Sequence, residues 1–580
     1  MSSKQYADNS TVNYTYENTT SRLKSVLDAL GQTKQYTYAK DDRISGIVYL
    51  NAVNATPNVA FSYDAYFPRI TSMIDGNGTT QYGYFAVGSP GALQLQQESR
   101  SLPNSTIAYG YDSLARLSSR TAAPSGTETF QYDAVSRLVG HDSDLGSFSL
   151  SYLGETAQIT QRQLLPVSTN LATNWSYQPN SSDRRLASIT NVGLSLGQHS
   201  DYQFTTTAEN FITGIIESSD APTVYPSPTT QTASYNDLNQ LTNLSGQGLS
   251  FDANGNLISD GQRNYSWDAE NRLIGITYPG QPGKQTAFAY DGLSRRTAIT
   301  STPAGGGSAV TTSYIWCGSR ICQARDASNS IAREYYSEGE FVPGSPTQSF
   351  YYGIDQVSSI RRVFVNTSSA PAYSYDPYGN ALQSTTPFTD FNYAGMFHNA
   401  DSKLYLTQYR VYDPISGRWL SRDPIGELNG LPGAQVSVAG ALGSTLVFTD
   451  GFGNVQTAFA RIANGVANRT TSAAVDAYRV IRPRDFDVNA NAERVGYANP
   501  AWAAFTSPTL IQLRDGVGLY PYAYGDPIDF NDPTGQAGFC AWVRAMCVAA
   551  WCVYAGEAPK RIRPPLQINP VAPIARSKDE

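Results

Sequence analysis

Apolar and polar residues alternate along many short stretches of the chain, and most of these stretches end in an aromatic residue followed by Asp or Asn. Segments such as "FAYD" and "YSYD" have the two-residue period of a β-strand with one face toward a core. Turn-forming residues follow, and then Arg or Asn with an aliphatic residue restarts the alternation. Each copy predicts a hairpin turn between two short strands. The copies stand at Tyr63, Tyr111, Tyr132, Tyr235, Phe251, Trp267, Tyr290 and Tyr375, with weaker copies from Tyr16 and Asn180.

The residue types explain the turn. The Asp or Asn bonds to the backbone that follows it, and Gly, Asn or Ser accepts a left-handed backbone in the corner. We expect the Arg stem after the corner to lie across neighbouring rings while the aliphatic residue faces inward. A single hairpin is only marginally stable, so the copies must stack on one another.

The pattern therefore predicts an all-β fold: a ribbon of antiparallel hairpins, coiled so that successive turns cover each other's edges. An ordinary all-β multidomain protein is the alternative. Turn chemistry alone does not predict an Arg-aliphatic pair at a constant offset after each aromatic-Asp pair, which favours the ribbon.

Composition agrees with strands and turns. Only 15% of the 580 residues are charged, while the chain has 39 Tyr and 48 Gly. The net charge of −7 argues against nucleic acid as a partner, because no basic field is available to replace counterions. Met1 leads into a polar stretch, so no signal peptide is recognisable. Five cysteines make no disulfide framework, although Cys317 and Cys322 are close enough in sequence either to pair or to remain two thiols.

The repeats resemble the YD repeats of the Rhs (rearrangement hotspot) and Tc-toxin C-component proteins, which are related to teneurins and wall-associated proteins. Residues 404–426, "LYLTQYRVYDPISGRWLSRDPIG", resemble the Rhs-associated core, and "EYYSEGEFVPG", "FYYGIDQVSSIRRVF", "YSYDPYGNAL" and "FNYAGMFHNADSKLYL" resemble its lead-in. The resemblance covers residues 10–430 and 515–535. It implies a hollow β-cage that the core segment plugs as an inward spiral, around a variable C-terminal polypeptide that is often a toxin.

The same resemblance implies a self-cleaving aspartyl protease. Arg422 and Asp423 in "SRDPIG" and Asp532 in "NDPTG" match its two motifs, and the cut would fall between Gly535 and Gln536. Two carboxylates about 3 Å apart share one proton, so one serves as base toward water and the other as acid. Arg422 would hold the charged carboxylate or the developing oxyanion.

Two departures keep the opposite interpretation open, in which Asp423 and Asp532 only cap turns of the plug. An Ala-rich stretch, residues 431–516, separates two motifs that the family places close together. Insertions are tolerated because loop closure costs grow slowly with length. Gln536 also stands where the family usually has Leu.

The predicted organisation has five parts. The YD-repeat β-cage occupies residues 1–330 and the first part of the core 331–430. An insertion of unknown fold, helical or irregular, follows at 431–516, and the second part of the core at 517–535. Residues 536–580 form a variable peptide whose apolar stretch "AGFCAWVRAMCVAAWCVYAG" is about one membrane span long. Arg544 within it favours a plug inside the cage or a remnant over a spanning helix. A disordered tail then ends the chain.

The leading functional hypothesis is a shell protein that encapsulates and releases its own C-terminal polypeptide, in toxin delivery or intercellular competition. The alternative is a cell-surface adhesion or carbohydrate-binding protein whose tyrosines stack on sugars. Partners would be the C-terminal segment, secretion-apparatus or toxin-complex components, or surface glycans. We expect a secreted or cell-surface protein, and a short member or fragment of the family, because the repeats begin close to Met1.

We predict at most an intramolecular aspartyl protease, with no activity on other substrates. No cofactor and no metal site is predicted, since His141, His199 and His398 lack the spacing of metal ligands.

Overall fold

The computed structural model of the protein describes residues 2–424 except 209, 228–229, 366–370 and 383–386, and the backbone of three strands between 437 and 460. Antiparallel β-sheets make up almost all of the described chain, which contains no α-helix, so the predicted all-β class is confirmed. Asp532, Gly535, Gln536 and the rest of residues 461–580 lie outside the described residues.

The first ribbon is a sheet of 19 strands in which each strand pairs antiparallel with the next one along the chain. Its strands are β1 Ser3–Gln5, β2 Thr11–Tyr16, β3 Leu23–Leu27, β4 Thr33–Tyr38, β5 Ile44–Leu50, β6 Val59–Tyr63, β7 Ile70–Asp75, β8 Gly78–Tyr84, β9 Leu95–Ser99, β10 Ile107–Tyr111, β11 Leu117–Ala122, β12 Thr127–Tyr132, β13 Leu138–Ser143, β14 Gly146–Tyr152, β15 Ile159–Leu165, β16 Ala172–Tyr177, β17 Leu186–Val192, β18 His199–Thr206 and β19 Ile212–Glu217.

A small sheet then leads into the second ribbon, a sheet of 12 strands with the same sequential pairing. The small sheet contains β20 Ala233–Tyr235, β21 Leu241–Leu244 and β22 Gln247–Gly248. The second ribbon contains β23 Ser250–Phe251, β24 Leu257–Ser259, β25 Asn264–Trp267, β26 Leu273–Thr277, β27 Gln285–Tyr290, β28 Arg296–Thr302, β29 Val310–Cys317, β30 Arg320–Arg325, β31 Ile331–Tyr336, β32 Gly339–Val342, β33 Gln348–Ile354 and β34 Ile360–Phe364.

The core segment, residues 371–424, carries a sheet of four very short strands. These are β35 Phe397–Asn399, β36 Leu404–Leu406, β37 Val411–Asp413 and β38 Arg418–Trp419. Within the Ala-rich stretch, where the sequence left a helical module open, three strands pair antiparallel. They are β39 Ser437–Val438, β40 Ser444–Thr449 and β41 Val455–Ala460, and single 3-10 turns occur at Val167–Thr169, Asn180–Ser182 and Tyr393–Gly395.

The hairpin turn predicted for each repeat has the expected bonds, as the copy at Tyr111 shows. Asp112 accepts the backbone N–H groups of Leu114 (3.0 Å) and Arg116 (2.8 Å) and the Arg116 Nε–H (2.5 Å). Ala115 in the corner has a φ of 59°, the left-handed conformation expected there. Local side-chain-to-backbone bonding therefore builds the turn.

Arginine and tyrosine side chains alternate along the edge that carries these turns. The Arg116 guanidinium lies 4.7 Å from the ring centroid of Tyr132 in the next repeat, and the Tyr111 hydroxyl donates to the Leu95 carbonyl of the preceding one (3.0 Å). The expected placement of Arg over neighbouring rings is thus confirmed. The same stacking joins Arg22 to Tyr38, Arg43 to Tyr63, Arg69 to Tyr84, Arg137 to Tyr152 and Arg272 to Tyr290.

The second ribbon runs beside the first in the same chain direction, as the next turn of one coil would. The residue numbers of the contacting pairs increase together in the two ribbons, which establishes this arrangement. They pair Asn254 with Asp28, Glu270 with Lys34, Gly292 with Asp75, Arg295 with Glu98, Glu338 with His141, Ile354 with Asn191 and Arg362 with Asp220.

The largest buried cluster lies where the core segment covers the second ribbon. Leu273, Ile276 and Tyr314 of the ribbon pack there with Leu404 and Val411 of the core segment. A disulfide between Cys317 and Cys322 closes the β29–β30 hairpin. Among the described residues there is no helix with the length and apolar character needed to cross a bilayer.

Candidate functional site: the core segment around Asp423

Tyrosines hold the two Tyr-Asp-Pro turns of the core segment together. Tyr412 donates its hydroxyl hydrogen to the Tyr378 carbonyl (2.7 Å), and Tyr405 donates to the Gly379 carbonyl (2.9 Å). All three of Tyr405, Tyr412 and Tyr378 come from copies of the repeat motif or the strand before it. The turn that follows Tyr412 is therefore held against the turn at Tyr378, and β38 continues from it toward Asp423.

Asp423 is buried, and its carboxylate forms an ion pair with a buried arginine. The Arg410 Nη2 lies 3.1 Å from the Asp423 Oδ2, and both side chains are almost fully enclosed. The Arg410 guanidinium also stacks 4.2 Å from the ring centroid of Trp419. The Leu420 N–H donates to the Val411 carbonyl (2.9 Å), which brings the two parts of the segment side by side. Burial and the ion pair thus hold the Asp423 carboxylate in one orientation, as burial and an ion pair with Arg295 do for the turn-capping Asp291.

Arg410 is not among the site residues that the sequence predicts. It stands in "YRVYDP", ahead of the second Tyr-Asp-Pro turn, at a position where the repeats elsewhere have no basic residue. Position alone was therefore a weak signal, and only the packing of β37 against the segment end brings Arg410 to Asp423.

Arg422 extends toward the start of the chain. Its guanidinium lies 3.9 Å from the ring centroid of Tyr6, in the turn between β1 and β2. The neighbouring Asp8 has a pKa below its usual value: partial burial raises it, but hydrogen bonds from Ser10 and the charge of Arg422 outweigh that effect. Arg422 thus ties the end of the core segment to the first hairpin.

The Asp413-Pro414 turn joins the core segment to the second ribbon. Asp413 accepts the Ser416 N–H (3.2 Å) and lies 3.4 Å from the Arg263 Nη2. Arg263 also donates to the Ser402 carbonyl (2.7 Å) and pairs with Asp260. These bonds give Asp413 a structural role.

A buried glutamate of the second ribbon anchors the core segment. Glu340 accepts the backbone N–H groups of Asp390 (2.8 Å) and Phe391 (3.0 Å) and the Tyr352 hydroxyl (2.7 Å), and it pairs with Arg333. Burial, together with the charge of Asp390, raises the pKa of Glu340 to about 7. The core segment is therefore fastened to β32 through a titratable group.

The structure describes one half of the predicted catalytic pair. Arg422 and Asp423 lie at the end of the described core segment, whereas Asp532, Gly535 and Gln536 lie outside the described residues. Across the described part of the chain, no three or more His, Cys, Asp or Glu side chains are grouped as ligands for a metal ion.

Comparison with known proteins supports this description of the chain. Residues 223–429 match the family model of the Teneurin YD-shell. The tRNA nuclease WapA of Bacillus subtilis (strain 168) is 30% identical over 205 residues, which are 34% of this chain and 8% of that protein. The toxin protein Tse5 of Pseudomonas aeruginosa is 25% identical over 235 residues, 32% of this chain and 18% of Tse5. The chain thus spans less than a fifth of the length of either relative.

Two solved structures share the fold. The crystal structure of TcdB2-TccC3 matches with a TM-score of 0.55 and 14% identity, over 74% of this chain and 28% of that one. The Photorhabdus luminescens Tc holotoxin pore matches with a TM-score of 0.55 and 14% identity, over 74% of this chain and 26% of that one. At this identity the match concerns the fold.

Proposed function

Since the chain is a YD-repeat protein related to the Rhs toxins, we propose that it is a shell protein that encloses its own C-terminal polypeptide, for toxin delivery or competition between cells. The observation that carries the proposal is the coil: the second ribbon follows the first in the same direction, from Asn254 beside Asp28 to Arg362 beside Asp220. A ribbon that coils on its own edge encloses volume and leaves few open strand edges. The predicted five-part division, with its boundaries at 330, 430, 516 and 535, is part of this proposal.

The relatives support a location outside the cytoplasm, secreted or at a cell surface, with toxin-complex components as partners. The matched proteins are a tRNA nuclease, a toxin protein and components of a Tc holotoxin. The composition of the present chain adds a negative net charge of −7, which disfavours nucleic acid as the partner of the shell itself.

We further propose that the chain releases its C-terminal polypeptide by hydrolysing its own Gly535–Gln536 bond. In this reaction one carboxylate takes a proton from water while the oxygen attacks the carbonyl carbon of Gly535. The C–N bond then breaks, and the nitrogen of Gln536 receives a proton from the other carboxyl group. Asp423 and Asp532 are the proposed pair.

Arg410 would position Asp423 for this reaction. Its guanidinium, 3.1 Å away, stabilises the negative charge of the Asp423 carboxylate and so favours Asp423 as the base. Its stack on Trp419 restricts the guanidinium plane, and the buried surroundings strengthen the pair. Arg422, close to Asp423 in sequence, remains the proposed residue for the developing oxyanion.

The test is intact mass and N-terminal sequencing of the purified full chain. We expect a product that begins at Gln536, and no product from Asp423→Asn or Asp532→Asn. Asp413→Asn is the matched control, because it removes a carboxylate of the same Asp-Pro type that is bonded to Arg263, and it should still cleave. A wild-type chain that stays whole would disprove self-cleavage.

Arg410→Gln separates positioning from folding. If Arg410 orients Asp423, the variant should cleave at least about tenfold more slowly and shift the pH profile of the rate, with Arg410→Lys retaining part of the activity. Loss of cleavage without any change in pH profile, accompanied by a lower melting temperature, would assign Arg410 a structural role only.

Enclosure is tested separately by small-angle scattering of the full chain. A compact hollow particle supports the shell, while the profile of an extended rod contradicts it, whatever the outcome of the cleavage assay.

The tyrosines along the YD turns give little support to the alternative function, in which tyrosine rings bind carbohydrate by stacking on sugars. Rings such as those of Tyr132 and Tyr152 are covered by the guanidinium groups of Arg116 and Arg137. A ring already stacked on a cation offers that face to no sugar.

A further inference from the structure

Each ribbon has two different edges. The YD edge carries the aromatic-Asp turns, and the opposite edge carries the hairpin loops between them, such as the Asp75–Gly78 turn. In the coil, the YD edge of the second ribbon lies on the opposite edge of the first. This contact shows which kind of surface covers a YD edge in this protein.

The residue three positions after the aromatic residue, which precedes the left-handed corner and is called the tip residue here, makes that contact in the second ribbon. Asn254 donates to Asp28 (2.7 Å), and Glu270 pairs with Lys34 and accepts the Tyr49 hydroxyl (2.5 Å). The tip residue Leu293 packs against the cluster around Met73 and Val59. Val357, at the equivalent position of the turn that follows Ile354, is 6% exposed. The YD edge of the second ribbon is therefore a covered edge.

In the first ribbon four consecutive tip residues are apolar and open to solvent, whereas Thr19, Asp41, Glu155 and Asn180 occupy this position in other turns. Tyr66 is 89% exposed, Val87 74%, Leu114 63% and Val135 48%. They lie next to one another, because a side chain of each turn donates to a carbonyl of the next: Arg69 to Leu93 (3.1 Å), Gln94 to Ala115 (2.8 Å) and Arg116 to Asp133 (3.1 Å). A contiguous row of exposed apolar residues on a folded surface usually marks an interaction site.

The molecule also exposes the surface that such a row would need. On the opposite edge of the second ribbon, the loops 278–284 and 303–309 are adjacent, since the Gly305 N–H donates to the Pro282 carbonyl (2.8 Å). Both loops are largely exposed, as is Val310 at 62%. They consist of Pro, Gly, Ala, Ser and Gln with one Tyr and a single charge, Lys284.

We propose that this chain binds a second copy of itself head to tail: the exposed YD edge of the first ribbon of one copy docks on the loops 278–284 and 303–310 of another. The contact repeats between molecules the one that joins the two ribbons within a molecule. Each copy carries both surfaces, the apolar YD edge and the loops, and described residues cover neither of them.

The chemistry of the two surfaces fits this occupant. Burying apolar tip residues against Pro- and Gly-rich loops releases water from both sides. The one charge in these loops, Lys284, stands at the end of its loop, where the ammonium group can stay in water. A YD edge against a second YD edge would be a symmetric contact of a kind that the molecule does not use elsewhere among its described residues. A head-to-tail contact uses two different patches, so it extends into a stack of copies and does not stop at a dimer. The proposal is independent of self-cleavage.

The first test is sedimentation of the full chain over a wide range of concentration. The wild type should form dimers and longer oligomers as concentration rises. Leu114→Asp, which puts a charge in the middle of the apolar row, should weaken association by about tenfold or more, and Val310→Asp should do the same from the other side. Leu196→Asp, at a fully exposed leucine away from both patches, is the matched control and should associate like the wild type.

The second test distinguishes a head-to-tail contact from a symmetric one. Leu114→Asp keeps the loop surface and Val310→Asp keeps the apolar row, so an equimolar mixture should form a dimer with one copy of each, although neither variant associates alone. Unchanged melting temperatures of both variants show that the fold is intact.

Three results would overturn the proposal. A wild type that stays monomeric throughout means that the row is covered by residues of its own chain or by another protein. Association that survives both substitutions places the interface elsewhere. Failure of the mixture to form the one-to-one dimer, when each variant alone is monomeric, indicates a symmetric contact.

Discussion

The Nδ1 of His141 in the first ribbon and the Oε2 of Glu338 in the second lie 3.0 Å apart inside the wall where the two ribbons meet. The other ring nitrogen of His141 lies 3.1 Å from the Oε2 of Glu128, which also pairs with Arg120 and Arg320. Burial lowers the pKa of His141, but the two glutamates outweigh burial and raise it to about 9. The imidazolium therefore holds two turns of the coil together at neutral pH.

His141→Gln should destabilise the protein by about 2–4 kcal/mol near pH 6, because it removes the ion pair that joins the buried Glu338 to the first ribbon. Glu128 loses one of three cationic partners and keeps Arg120 and Arg320. The raised pKa means that the stabilisation is complete below pH 6.5 and is lost as pH rises through 9. The wild type should thus lose about 2–3 kcal/mol across this window, and the variant should not. Urea unfolding at several pH values measures this.

His199→Gln is the control for loss of an imidazole, since that side chain is partly exposed beside Asp201. If His141→Gln kept the wild-type pH dependence between 6.5 and 9, the imidazolium would not be the group that joins the ribbons.

Glu340 predicts a loss of stability in the same direction, but at lower pH. Its raised pKa of about 7 means that the folded protein binds a proton that the unfolded chain releases near 4.5. Stability should therefore fall as pH rises from 4.5 through 7, by on the order of 2 kcal/mol, and this cost should persist above 7. Glu340→Gln removes the titration. Melting temperatures of the two proteins across this range should diverge; parallel curves would contradict the assignment.

The arginine row can be tested at Arg116. Arg116→Met keeps much of the stem but removes the contact with Tyr132, the ion pair with Asp112 and the bond to the Asp133 carbonyl. We expect a loss of about 1–2 kcal/mol in the free energy of unfolding. Lys24→Met, at an exposed strand position, is the control and should change stability little. Equal losses would show that the row adds nothing specific.

Ala115 marks a position where the chain can be stabilised. Its φ of 59° is strained for alanine, whereas other repeats place Asn or Ser in this corner. Ala115→Asn should therefore raise stability by about 0.5–1 kcal/mol, and the reverse change Asn239→Ala, at a φ of 57°, should lower it by a similar amount. Differential scanning calorimetry of the two variants measures both. A destabilised Ala115→Asn would mean that the corner has no room for the amide.

The repeated turn could be predicted from sequence because its determinants are local. Asp112, the corner residue and Arg116 fall within a few residues of one another, and each bond that builds the turn runs between them. The same locality made the strand pattern and the resemblance to Rhs and YD-repeat proteins readable, and the matches to related proteins confirm both.

The partner of Asp423 could not be predicted in this way. The Arg-Asp-Pro motif of the resemblance points to Arg422, yet the ion pair found for Asp423 is with Arg410, which reaches it only when the end of the segment folds back onto β37. In the same way, no residue near His141 in the sequence indicates that Glu338 is its ion-pair partner. Residues Asp532 and Gln536 stay predictions of the sequence.

The amino-acid sequence by itself determined the hairpin, its turn and the Arg–Tyr row, since each depends on side chains a few residues apart or on the next identical repeat. Only the tertiary structure decided which edge of one ribbon meets which edge of the other. It therefore decided which charges are buried and which apolar tip residues stay exposed. The physical reason is that the turn is built by contacts within the motif, and these are the same whether the turn is buried or exposed. Leu114 and Leu293 occupy the same position of the same motif, and only the neighbouring turn of the coil distinguishes them.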